Sequence, residues 1–197
     1  MDLKKLASEN KPAVFRTILV FTLILLAAAL RLAPHPWNFT PIGAIALFSG
    51  ATVRHRRMAF LFPVLVMLAT DAIIGFNTLS PLIYASFLLS VLIGRLLNQK
   101  RNVSRIAGAT FLGSVQFFLI TNFGVWAFLG TYPRTAAGLA ACYIAGVPLF
   151  WNTLTGDAVY TALLFGAFAM AEHLTPRLRV GAEHALSSMP SLDREER

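Results

Sequence analysis

Two aspartates stand inside runs of apolar residues: Asp71 near the far end of the run from Met58 to Phe76, and Asp157 inside the run that begins near Pro148. An ionised carboxylate among apolar side chains is expensive, so each must turn towards neighbouring elements and find a partner. Thr153, Asp157, Tyr160 and Thr161 recur at i, i+4, i+7 and i+8, which on a helix makes one polar stripe pointing inwards. Arg31, at the end of the first apolar run, is the cation best placed to pair with either aspartate. Two chemistries follow. The ions lock helices together or orient a bound solute, or the two aspartates form a hydrolytic pair, which requires carboxyl groups near enough to perturb each other. Gln116, an amide in the middle of a span, serves as helix glue or as a ligand contact.

The elements that carry these groups are apolar. Of 197 residues 56% are hydrophobic and only 13% charged, with a mean hydropathy of +0.65; that is far from a soluble average and implies a single polytopic membrane domain. The expected class is all-α, a bundle of six transmembrane helices. The runs are Val14 to Leu30, Pro41 to Val53, Met58 to Phe76, Pro81 to Ile93, Ile106 to Phe128 and Pro148 to Ala171, with a short interfacial helix at 136–146. Residues 1–12 read as a cytoplasmic lead-in, 13–173 as the six-helix domain and 174–197 as a polar, flexible cytoplasmic tail. Ala27, Ala28 and Ala29 could end a signal peptide, but the polar turn that follows looks integrated with the bundle.

That turn, from Arg31 to Ala51, breaks the chain between the first two spans. Pro34, Pro36 and Pro41 remove backbone donors, and irregular backbone at membrane depth is tolerated only against protein or a cavity. Gly43, Ala46 and Gly50 put three small residues on one face of the second span, and Ala158, Ala162 and Gly166 do the same on the last, so each face suits close helix approach within the chain or with a partner.

The formal net charge of +8 does not point to nucleic acid, because the charges cluster between the apolar runs. With the N-terminus cytoplasmic, alternate segments hold Lys4, Lys5, Lys11 and Arg16, then Arg54, Arg56 and Arg57, then Arg95, Lys100, Arg101 and Arg105, then Arg177, Arg179, Arg194 and Arg197. Only Arg31 and Arg134 of the 17 basic residues fall on the other side. The expectation is six spans with both termini in the cytoplasm. Arg31, Trp37, Asn38, Asp71, Asn122, Trp126, Trp151, Asn152 and Asp157 then lie on or near the outer half, as a belt of interfacial aromatics or as the wall of an outward pocket. The three tryptophans share one side, where a belt would populate both. The expected ligand site therefore stacks a solute on Trp37, Trp126 or Trp151 and orients it with Arg31, Asn38, Asp71, Asn122, Asn152 and Asp157.

Other chemistry is sparse. The chain has no phosphate loop, no histidine pair at metal spacing, no serine in a nucleophile turn and no cofactor motif, so neither a metal nor a cofactor is expected and an enzyme is not the favoured class. Cys142 is the sole cysteine, which excludes an intramolecular disulfide. The segments RLAPHPWNFTPIGAIALF (31–48), TDAIIGF (70–76) and YIAGVPLFWNTLTGDAVYTALLF (143–165) resemble a family of uncharacterised bacterial inner-membrane proteins. That family in turn is similar to the substrate-binding S components of energy-coupling-factor (ECF) transporters. The resemblance implies a six-helix subunit that captures a small vitamin- or cofactor-like ligand from outside. It also implies that Gly43, Ala46 and Gly50 contact a transmembrane coupling subunit, itself driven by ATPases. Two alternatives remain: an intramembrane hydrolase using Asp71 and Asp157, whose Thr155-Gly156-Asp157 faintly resembles the Gly-Asp element of intramembrane aspartyl proteases, and a ligand-free scaffold.

Overall fold

The computed structural model describes residues 3–98 and 100–175, with side chains from Val14 onwards. The described chain is all-helical: α1 (Leu3–Leu30), α2 (Ile42–Thr52), α3 (Arg56–Ile74), α4 (Ser80–Arg95), α5 (Val103–Phe128) and α6 (Ala136–Leu174). Three of these, α3, α5 and α6, are long and apolar enough to cross a membrane, while the apolar parts of α1, α2 and α4 are shorter. The helix faces turned away from the bundle are themselves apolar: Leu61, Leu65 and Leu68 on α3, Phe111, Leu112 and Leu119 on α5, and Val159, Leu163 and Met170 on α6 are all exposed. Large apolar patches of this kind need a partner or a lipid solvent.

The helix α2 is the axis of the bundle. It has no charged residue and is apolar around its whole circumference, the pattern of a helix with no solvent face; ten of its 11 residues are buried, and it packs on all five other helices. Small residues let it do so. A Cβ on Gly50 would overlap the carbonyl of Val91 on α4, and a Cβ on Gly94 would overlap the carbonyl of Leu47, so two glycines, one from each helix, bring α2 and α4 into backbone contact. On the opposite flank Phe48, fully buried, meets Phe165 and Phe168 of α6 edge-on at 5.2 and 5.6 Å between ring centroids. Gly43, Ala46 and Gly50 are thus occupied by helices of the chain itself, with Gly43 against α6 and Gly50 against α4. In this structure that face, expected to meet a separate coupling subunit, packs inside the bundle. The other small-residue face, Ala158, Ala162 and Gly166, is exposed.

Two further boundaries differ from the sequence reading. The expected interfacial helix at 136–146 and the span beginning at Pro148 are one helix of 39 residues with Pro148 inside it. A proline removes a single intrahelical donor, and the flanking sequence, rich in Ala and Leu and capped by the Thr135 hydroxyl accepting from the Gly138 amide at 3.1 Å, carries the helix through. Pro63 is carried through α3 in the same way. The helix α1 also begins earlier than the expected span, at Leu3, so from that residue on the stretch expected as a lead-in is helical and continuous with it. The expected tail, 174–197, lies outside the described residues from position 176 on.

Successive helices alternate in direction, which gives the bundle two ends. At one end lie the α1–α2, α3–α4 and α5–α6 turns. At the other, Arg95 closes α4 onto the end of α2 by donating to the Val53 carbonyl at 3.1 Å, and Arg16 and Arg101 both approach Glu172 and the face of Phe168.

Candidate functional site

The segment between α1 and α2 is where the polar groups converge. The Phe39 amide donates to the Pro36 carbonyl at 3.0 Å, closing a turn whose third residue, Asn38, has φ of +63°. Asparagine tolerates that left-handed conformation, and with Trp37 at negative φ the pattern is that of a type II turn. Beyond the turn the chain descends beside α6. The Asn152 amide donates to the Trp37 carbonyl at 3.0 Å, a Cβ on Gly156 would stand 3.2 Å from the Cα of Phe39, and the Phe39 ring lies 5.7 Å from that of Tyr160. By Gly43 the chain has reached Asp157, the 22nd residue of α6. The helix α2 therefore begins deep in the bundle.

This path separates the groups that the sequence reading gathered into one pocket. Arg31 and Asp71 form a closed lock: the guanidinium donates to Asp71 Oδ1 at 2.5 Å and to the Thr70 hydroxyl, and the Tyr84 hydroxyl donates to Asp71 Oδ2 at 2.6 Å. Both carboxylate oxygens are occupied, and α1, α3 and α4 are tied together.

Asp157 sits apart from this network, 6% exposed, and among the described side chains its hydrogen-bond donor is Ser114 of α5, 2.7 Å from Oδ2. Its carboxylate fills the space where Gly43 lacks a side chain, against the first turn of α2, whose unpaired amides carry a partial positive charge. The two aspartates share no partner.

A cavity of about 200 Å³ lies at the turn end, lined by residues of α4, α5 and α6 and by Asn38 of the α1–α2 turn. Of the predicted ligand residues it brings together Asn38 and Asn122. The rest of its polar wall is Thr121 and Thr153, and three rings, Phe117, Phe118 and Phe150, face it as well. Its hydroxyls have spent their protons, Thr121 on the Phe117 carbonyl and Thr153 on Leu149 at 2.8 and 3.0 Å, while the Asn122 amide gives one of its two N–H groups to the Phe118 carbonyl at 2.9 Å. The hydroxyls offer a ligand acceptor lone pairs, and the asparagine amides offer donors and acceptors.

The tryptophans are elsewhere. Trp37 projects from the tip of the turn with 84% of its surface exposed, Trp151 is 58% exposed on the flank of α6, and Trp126 donates its indole N–H to the Pro133 carbonyl at 3.0 Å, holding the α5–α6 turn. Asn152 fixes the turn backbone rather than lining the cavity. Gln116 is glue, donating to the Ser86 carbonyl and the Ser90 hydroxyl of α4, both at 3.0 Å.

Sequence reasoning missed the aromatic wall, because phenylalanines in an apolar helix carry no marking of which face they occupy. It also missed a second cavity, about 290 Å³, at the opposite end of the bundle, lined by Arg16, Thr17, Thr52, Arg54 and His55 among others. Arg16, the one charge within the first apolar run, was the available signal.

No curated protein and no solved structure matches the chain. A family described only as of unknown function, DUF6580, matches residues 11–178, most of its length, and the chain belongs to that family.

Proposed function

We propose that the protein is a multi-pass solute-binding subunit of the bacterial cytoplasmic membrane, with six spans and both termini cytoplasmic, that takes up a small neutral ligand from the outer side at the end carrying the α1–α2 turn. The observation that carries this reading is the cavity of about 200 Å³ lined by Phe117, Phe118 and Phe150 with Asn38, Thr121, Asn122 and Thr153. A cavity of about 150 Å³ holds a benzene molecule, so the ligand is about one substituted ring. No ionic side chain lines the cavity, which favours a neutral ligand, and the spent protons of its hydroxyls favour one bearing N–H or O–H donors. A single-ring heterocycle with an amino or carboxamide substituent meets all three conditions.

The positive-inside asymmetry supports the orientation, and it puts the polar turn and the cavity on the outer side. Transport in the manner of an ECF S component would need a coupling subunit with its ATPases. The small-residue face open to such a subunit is Ala158, Ala162 and Gly166, since Gly43, Ala46 and Gly50 are taken up inside the bundle. Binding rather than catalysis is favoured by the separation of Asp71 and Asp157 into different networks.

Thermal unfolding of the purified protein in detergent, measured across a set of vitamins and their single-ring precursors, tests the reading. At least one neutral ring compound should raise Tm in the wild type and not in Thr153→Phe, which fills the cavity. A full set of compounds without effect, or stabilisation that survives the filled cavity, overturns it. The orientation is tested separately: a cysteine at Thr131 should react with a membrane-impermeant maleimide in intact spheroplasts, and one at Arg56 should not.

A further inference from the structure

Beside Asp157 the packing leaves a void of about 10 Å³, the space of a single water-sized sphere. Eight residues line it, and their polar side chains carry oxygen only: the Asp157 carboxylate and the hydroxyls of Ser90, Thr110 and Thr161. No lysine, arginine or histidine is among them. Two of those hydroxyls have given their protons to their own helices, Thr110 to the Ile106 carbonyl at 2.9 Å and Ser90 to the Ser86 carbonyl at 3.4 Å, so they present lone pairs, although Ser90 Oγ also accepts from the Gln116 amide at 3.0 Å. Thr161, 3% exposed, has no hydrogen-bond partner for its Oγ1 among the described residues, although almost every other buried hydroxyl is paired.

A void that holds a carboxylate and further acceptor oxygens, and no cation, is incomplete in a medium with no water to screen it. The first turn of α2 supplies about half a positive charge towards the same carboxylate, which reduces the deficit and leaves a net negative site. Hard oxygen donors without nitrogen or sulfur select hard cations, and the ion's size is limited to that of one water. A divalent ion would want further carboxylates, and none stands near.

We infer that the void enclosed by Asp157, Thr161, Thr110 and Ser90, where α2 begins against α5 and α6, is a binding site for one sodium ion. The site does not depend on the solute cavity. The ion would join α2, α4, α5 and α6 at one point, and Gly43 is required there because any side chain would displace the carboxylate from it.

The test is thermal unfolding of the full-length protein in detergent at pH 8 and constant ionic strength, in sodium, potassium or choline chloride. Sodium should raise Tm saturably above both of the others. Asp157→Asn and the isosteric Thr161→Val should each lose that increment, while Arg31→Lys, remote from the void, should keep it. Equal Tm in the three salts of the wild type overturns the proposal, whatever the variants do. So does a stability that responds to pH identically in sodium and choline, which would mean a protonated carboxyl beside one water. A sodium increment that persists in Asp157→Asn overturns it as well.

Discussion

The two buried carboxylates answer the same physical problem in opposite ways. Asp71 receives a guanidinium on one oxygen and a phenol on the other, from two different helices, and its charge is neutralised where it stands. Asp157 is as deeply buried but receives one serine hydroxyl, with the first turn of α2 and an oxygen-lined void around it. A carboxylate closed by protein groups on all sides is a fastener. One left short of partners beside an empty space is suited to something that comes and goes. Burial alone does not distinguish them; the inventory of partners does.

The sharpest way to break the comparison is to open the closed site. Removing one member of a buried ion pair leaves the other uncompensated, which costs about 3–5 kcal/mol. Arg31→Ala should therefore unfold at much lower temperature or denaturant than wild type, and a paired Arg31→Met, Asp71→Leu variant should recover most of the loss. If Arg31→Ala alone were neutral, the Asp71 cluster would not be a lock.

Ser114→Ala probes the other site by the same logic. It takes away the one hydroxyl donating to a charged acceptor, worth about 1.5–3 kcal/mol, and the deficit should be smaller in sodium than in choline. In the Asp71 cluster the equivalent deletion is milder: Tyr84→Phe removes one of two donors while the guanidinium remains, so a loss of about 1 kcal/mol or less is expected, with no dependence on the cation. Equal losses in Ser114→Ala and Tyr84→Phe would erase the contrast between the two sites.

Which parts of this were legible in the sequence follows from what periodicity can encode. The positions of α2 to α5 were read to within a few residues because apolar runs and charged breaks repeat at span length, and a pair between Arg31 and one of the two aspartates was anticipated because an arginine at a helix end and a buried aspartate have few other partners. The inward stripe of Thr153, Asp157 and Thr161 was also visible, since a spacing of four residues on a helix is geometry. The sequence did not show depth. Gly43 reads as the second residue of a short span, and nothing local reveals that the chain before it has already descended along α6 to the level of Asp157. Trp37 was misplaced for the same reason: composition marks a tryptophan as a stacking platform, whereas the type II turn at Asn38 puts its ring at the exposed tip. Pro148 was read as a boundary because proline ends most helices, yet the capped, alanine-rich stretch before it sustains α6 through the break.

The smallest expected effect is also the most discriminating. Asp157→Asn keeps an oxygen to accept from Ser114 and replaces a charged acceptor with an N–H₂ group, and the void around it is lined by the lone pairs of Thr110 and the unpartnered hydroxyl of Thr161. The amide brings donors to acceptors that lacked them and removes a buried charge, so in choline its stability should lie within about 1 kcal/mol of wild type, or above it. Asp71→Asn has no such compensation, because the Arg31 guanidinium loses its counter-charge, and it should fall by several times as much. Chemical denaturation of the two variants side by side in sodium-free buffer decides the matter. Similar losses would mean that Asp157 is a second fastener, and a near-neutral Asp157→Asn beside a crippled Asp71→Asn would mean that the fold does not depend on a charge at Asp157, leaving the sodium dependence of Tm to tell a bound cation from a protonated carboxyl.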